Sequence, residues 1–316
     1  MIELRALGEA ELEAIAPLFE HAFGYPASPA LLRWKYAQGR GESWTAWEDG
    51  KLSLHIGAMF RQVALAGESI AGAQMMDLMA LPKAAPLRRA ASPFAQLMRH
   101  LLTQRLPRPG CPHRLVFGVS CYRARRLQEQ LGLGRSAGKM SNLVLTPAAA
   151  AGLRWVELAA DSPAWRPAAN ACWQAMAADL RHLAVGVRDA DYYAHRFFAH
   201  PHCRYTVLLV QSRWLRRTLG LAVLRSHGNT TELLDVLAPL KNHEPVLAGV
   251  RAWLAGSGHA AASYLVSQAI CAYLAPWADR VEPSEFHIML NAYAAQRVHD
   301  RASERWWLTG GDTEYR

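Results

Sequence analysis

Two short stretches of this chain echo each other. One reads Met76-Asp77-Leu78-Met79-Ala80-Leu81-Pro82 and the other Leu234-Asp235-Val236-Leu237-Ala238-Pro239. Their aspartates stand 158 residues apart, half of a 316-residue chain. Self-similarity at one fixed offset implies a structural unit used twice. A charged residue inside an apolar run, repeated at the same place, implies a shared local role.

The surroundings of each copy repeat in order. Leu12, Ile15, Phe19 and Phe23 recur at helical spacing within 9–23. Strands are expected at 44–48 and 52–61, joined by Asp49-Gly50, a type I′ hairpin signal. Gly67 marks another tight turn before an apolar strand at 69–81, and Pro93 opens a helix over 93–104. Strands at 114–119 and 140–145 enclose a helix at 123–131. The second half shows a hairpin at 205–225, a strand at 231–237, a helix at 245–254 and strands at 261–266, 286–290 and 306–309. Arg33-Trp34-Lys35-Tyr36 aligns with His195-Arg196-Phe197-Phe198. The pattern predicts an α/β chain of two tandem units, each a mixed, mostly antiparallel sheet flanked by helices. The alanine-rich stretch 147–152 is the expected linker, giving domains 1–146 and 153–316.

Composition narrows the function. The hydrophobic fraction is 51% and the charged fraction 19%, which supplies cores and excludes disorder. No apolar run reaches membrane-spanning length, so no membrane partner is expected. The start of the sequence reads as strand and helix rather than a signal peptide, so a cytoplasmic location is expected. Five scattered cysteines and 13 histidines show no metal-ligand spacing, so no metal is expected. A net charge of +9 favours an anionic partner, for which nucleic acid and a phosphorylated cofactor are both candidates, nucleic acid the less expected.

Residues 81–94 carry a family resemblance. A strand ending in Leu81-Pro82, an Arg-bearing loop and a helix opening at Pro93-Phe94 resemble the GNAT superfamily of acyl-CoA-dependent N-acyltransferases in tandem form. The resemblance implies acetyl-CoA or another acyl-CoA as co-substrate. It implies backbone pairing of the pantetheine arm along Leu78, Met79, Ala80 and Leu81. It implies a pyrophosphate cradle at Arg88, Arg89, Ala90, Ala91, Ser92 and Phe94, where a helix N-terminus presents unpaired donors. Ser92 stands where the family has its first glycine, and Gln128 where it often has a proton-donating tyrosine. The loop 239–245 after the second copy has no glycine and carries Glu244, so the first half is the expected acyl-CoA site.

Aminolysis of a thioester needs a route for the amine proton, donors for the oxyanion and a proton for the leaving thiolate. Asp77 is the candidate base or amine ligand, His55 a second base and Tyr122 the acid. Trp34 and Tyr36 are candidates to line the pocket of a small-molecule or peptide amine acceptor. Two other readings stay open: a non-catalytic binding or scaffold protein of the same shape, and an aminoacyl-tRNA-dependent transferase.

Overall fold

The Asp49-Gly50 turn has positive φ at both residues, 49° and 78°, as a type I′ hairpin requires. It joins the first long hairpin of the computed structural model, which describes residues 2–81, 89–106, 113–163, 165–228 and 230–313. The first half runs β1 (Ile2–Leu7), α1 (Ala16–Phe23), α2 (Pro29–Tyr36), β2 (Gly41–Glu48), β3 (Lys51–Leu65) and β4 (Glu68–Ala80). It continues with α3 (Pro93–Arg99), β5 (Leu115–Cys121), α4 (Tyr122–Gln130) and β6 (Gly134–Leu145). The second half opens with β7 (Leu153–Glu157), α5 (Trp165–Asp179), β8 (Ala184–Gly186), α6 (Ala190–Tyr193), β9 (Thr206–Ser212) and β10 (Thr218–His227). Then come β11 (Thr230–Leu237), α7 (His243–Ser257), β12 (Ala262–Ser267), α8 (Gln268–Leu274), β13 (Arg280–Asn291), α9 (Gln296–Ala302) and β14 (Trp306–Trp307).

Two compact units result. The first comprises Met1–Val63, Ser69–Ala137 and Phe286–Ser303. Its sheet is ordered β1-β2-β3-β4-β5, closed by the Phe286–Leu290 part of β13. The second comprises Ala64–Glu68, Gly138–Glu285 and Glu304–Arg316. Its sheet is closed by the Met140–Leu145 part of β6, followed by β12-β11-β10-β9-β7. Along each of these strand orders one pair is parallel, β4 with β5 and β11 with β12, and beside the second order β8 and β14 also pair in parallel. The units are therefore not the contiguous stretches 1–146 and 153–316. Each parallel strand needs an antiparallel neighbour on its outer edge, and each takes it from the other half of the sequence.

Central strands are buried without alternation, from Ser53 to Met59 in β3 and from Gly220 to Arg225 in β10. Such runs need cover on both faces. In the second unit α5 and α7 both pack on β10, with Ala169, Cys172, Met176, Val246, Val250 and Leu254 in one apolar core. In the first unit Phe94, Leu97, Met98, Leu101 and Leu102 cover Leu54, Ile56 and Ala58. A second cluster joins Leu12, Ile15 and Phe19 to Met59 and Met79.

Candidate functional site

In the first unit the parallel pairing of β4 with β5 runs from Gly72 opposite Leu115 to Met75 opposite Gly118 and stops there. Two residues later Asp77 has φ 48°, the left-handed region that a non-glycine residue enters at a cost. Its surroundings hold it there. Lys35 Nζ donates to both carboxylate oxygens at 3.0 and 2.9 Å, and Tyr36 donates its hydroxyl at 2.5 Å. The Asp77 carbonyl lies 2.8 Å from His55 Nδ1. A carbonyl only accepts, so Nδ1 carries the proton and Nε2 accepts from Ser43 Oγ at 2.9 Å. Gly57 makes room for Tyr36, because a Cβ there would sit 2.1 Å from the phenol oxygen. The left-handed residue turns β4 away from β5 and leaves a splay beside Leu78 and Leu81, both exposed.

This geometry assigns the polar residues places that differ from a cleft lining. His55 is fully buried, both ring nitrogens are engaged, and burial pushes its pKa down to about 4. It is a neutral brace behind the Asp77 backbone. The Asp77 carboxyl, 6% exposed, is occupied by Lys35 and Tyr36. Trp34 and Tyr36 lie in the core at 7% and 4% exposure, so neither lines an open acceptor pocket. Both sit on α2, whose inward face packs under Met59 and Met79. Leu81 N–H donates to the Ser53 carbonyl of β3 at 3.0 Å, so it is committed within the sheet.

Of the cradle residues, Arg88 lies outside the described residues. Arg89, Ala90 and Ala91 are exposed, while Ser92 and Phe94 are buried. Ser92 has φ −65°, so serine in the glycine place carries no backbone strain. It is an N-cap instead: its Oγ accepts from Ala95 N–H at 3.2 Å, and its own N–H donates to Arg89. Pro93 has no N–H. The start of α3 thus consumes most of its own donors. What it can offer a phosphate is the exposed Arg89 side chain.

Tyr122, half exposed, opens α4 directly after β5. It follows Cys121 at the end of β5, beyond the last β4/β5 pair at Met75 and Gly118. It shares a surface depression with Arg123, Arg126, Leu127 and Gln130. Gln128 donates to Ser120 Oγ at 2.9 Å, a structural bond within α4 and β5.

The second unit repeats the device and closes it. Asp235 accepts from Arg188 Nε at 3.2 Å, from the Tyr193 hydroxyl at 3.0 Å and from Thr309 Oγ1 at 3.1 Å. A carboxylate held by one cation and one tyrosine is what the repeated aspartates share. The tyrosine is Tyr193, not a residue of the 195–198 stretch that aligns by sequence. Pairing of β11 with β12 stops at Leu233 opposite Tyr264, just before Asp235. Here, however, the gap is filled by residues 308–313. Leu308 accepts from Ser267 N–H at 2.8 Å, and Thr309 bridges Val266. Asp312 pairs with Arg188, and Arg196 donates to the carbonyls of Gly311 and Thr313 at 2.9 and 3.0 Å. Gly311 lets this segment lie against β11, since a Cβ would meet the Leu234 carbonyl at 3.0 Å.

A probable N-acyltransferase of Enterococcus faecalis superposes with a TM-score of 0.68 at 12% identity, over 92% of this chain and 72% of that one. A tandem GNAT protein from the clavulanic acid biosynthesis pathway superposes at 0.59 and 12% identity, over 93% of this chain and all of its own. The chain has the GNAT fold. Saccharomyces cerevisiae N-myristoyltransferase with bound myristoyl-CoA also matches, at 0.59 and 10% identity, over 93% and 83% of the two chains. No protein-family model and no curated protein sequence matches. At these identities the likeness speaks for the GNAT fold alone.

One reactive group had no sequence signal beyond a cysteine near two histidines. Hydrogen bonding from His200, against partial burial, brings the Cys203 thiol down to about 7, with Tyr205 and Arg225 assisting. Burial pushes Cys172 up to about 11. At neutral pH Cys203 is expected to alkylate at least about tenfold faster than Cys172, because the thiolate is the nucleophile. Mass spectrometry of partially labelled protein reads this, and equal labelling would contradict it.

Proposed function

We propose that the first unit transfers an acyl group from an acyl-CoA thioester to the amine of a small molecule or peptide, and that the second unit is a structural twin. The observation that carries this is the contrast at the repeated aspartates: among the described residues no segment pairs into the splay beside Asp77, where Leu78 and Leu81 are exposed, while the one beside Asp235 is filled by residues 308–313.

The site fits the elongated arm of an acyl-CoA. Leu81 N–H points to β3, so strand alternation turns the amides of Leu78 and Ala80 to the splay. There they can pair with the amides of a pantetheine arm as an added strand would, and present a donor to the thioester oxygen. Arg89, exposed just before α3, is the group placed to meet the pyrophosphate. The acyl carbon leaves sulfur for nitrogen, the amine loses a proton, and the thiolate gains one. Tyr122 is the exposed donor for that last step. Asp77 acts as a positioning residue, since its oxygens are committed to Lys35 and Tyr36 and its backbone sets the splay. Cytoplasmic location follows from the same reading, because acyl-CoA is made and used there.

The test has two parts. Acetyl-CoA at millimolar concentration is expected to raise the unfolding temperature of the first unit, and Arg89→Ala to lessen that rise. Thiol release with a panel of amines is expected to fall about 100-fold or more in Tyr122→Phe. Binding without turnover would favour the scaffold reading, which the capped donors of α3 support. No binding would remove the proposal.

A further inference from the structure

The tip of the β9–β10 hairpin reads Ser212-Arg213-Trp214-Leu215-Arg216-Arg217. Trp214 and Leu215 are 84% and 85% exposed, whereas every other exposed large hydrophobic among the described residues is at 50% or below. They are held out by a built turn. Ser212 N–H donates to Arg217 O at 3.0 Å, Arg217 N–H to Ser212 Oγ at 3.1 Å, and Gln211 Nε2 to Arg216 O at 3.1 Å. Arg213 N–H ties the tip to Gly152 at 2.8 Å, beside β7. Nothing in the core of this unit needs the two side chains.

The ring around them carries one sign of charge. Arg213, Arg216 and Arg217 are all exposed, and Arg154 of β7 lies opposite Gln211. No aspartate or glutamate occurs in 207–231 or 147–156, which form the hairpin and its neighbouring strand. Two projecting apolar side chains are far too little area for a stable protein interface. A tryptophan and a leucine ringed by arginines match another surface: apolar tips seat at the boundary of headgroups and acyl chains, and cations pair with anionic headgroups.

We propose that this hairpin docks the second unit peripherally on an anionic phospholipid surface, with Trp214 and Leu215 entering the headgroup boundary. Docking of this kind needs no spanning segment, and among the described residues no helix is long and apolar enough to cross a membrane. It revises the sequence expectation of no membrane partner, which considered only crossing. It does not depend on acyl transfer in the first unit.

Co-sedimentation of the full chain with vesicles tests it. Vesicles containing about one-third phosphatidylserine are expected to bind the protein and vesicles of phosphatidylcholine alone to bind it weakly, with binding falling as salt rises. W214S/L215S should lower the bound fraction about tenfold or more, and R213Q/R217Q should erase the preference for the anionic vesicles. Both sets of changes are at an exposed tip, so unchanged unfolding midpoints will show that the fold is intact. Absence of binding to anionic vesicles at low salt would overturn the proposal. So would equal binding by W214S/L215S, or a concentration-dependent dimer that this variant abolishes while vesicle binding stays absent.

Discussion

Replacing Arg188 by methionine is expected to destabilise the second unit by about 3–5 kcal/mol, enough to threaten its folding. The side chain is completely buried. It donates Nε to Asp235, Nη1 to the Gly186 carbonyl at 2.8 Å and Nη2 to Asp312. Removing it would leave two carboxylates facing each other without a cation, and neither can reach water. The local field of the two aspartates raises the Arg188 pKa despite its burial, so the guanidinium stays charged at any working pH. Lys35→Met in the first unit should cost less, because a single carboxylate is left and it can take up a proton. Denaturation followed by tryptophan fluorescence reads mainly the second unit, which holds eight of the 11 tryptophans. A loss below about 1 kcal/mol for Arg188→Met would mean that the pair is dispensable.

The same network shows what could be read from the chain alone. The aspartates were legible because each sits in an apolar run at one fixed offset. Their partners were not, because each packs from a distant helical segment or loop whose length drifted between the halves. The cation lies 42 residues before Asp77 but 47 before Asp235, while the tyrosines lie 41 and 42 residues before. Aligning the aromatic clusters by type therefore selected 195–198 and passed over Tyr193. The exchanged closing strands were hidden for a different reason. A strand such as Phe286–Leu290 shows the same buried pattern whichever sheet receives it, and pairing partners leave no local trace. Ser92 stands where the resemblance has a glycine, yet the backbone there is extended and the hydroxyl caps α3. The filled splay depends on Gly310-Gly311 and Asp312, which lie beyond the strand expected at 306–309.

The second large expected effect is acid sensitivity below neutrality in both units. His55 in the first unit and His243 in the second are fully buried, and burial pushes each down to about 4. His243 also begins α7, where the helix dipole opposes a positive charge, and its ring packs edge-on against Tyr273 and Trp307. Both folded-state values lie below the unfolded value of 6.5. As pH falls through 6.5 the unfolded chain takes up these protons and the folded chain does not, so folding stability is complete above that point and declines toward 4. The decline is about 1.4 kcal/mol per pH unit for each histidine, or about 3 kcal/mol each over the window. Below about 4 the folded protein also protonates and this contribution levels off. His243→Gln keeps a donor for the Pro239 carbonyl and removes the titration, so it should flatten the slope of the second unit's midpoint by that amount. His55 needs a separate variant, because its ring also holds the Asp77 backbone. His55→Asn should flatten the first unit's slope and at the same time weaken acyl-CoA protection, since the splay depends on that carbonyl being held. A midpoint that stays constant from pH 6.5 to 5 would show that both rings reach water in the folded chain.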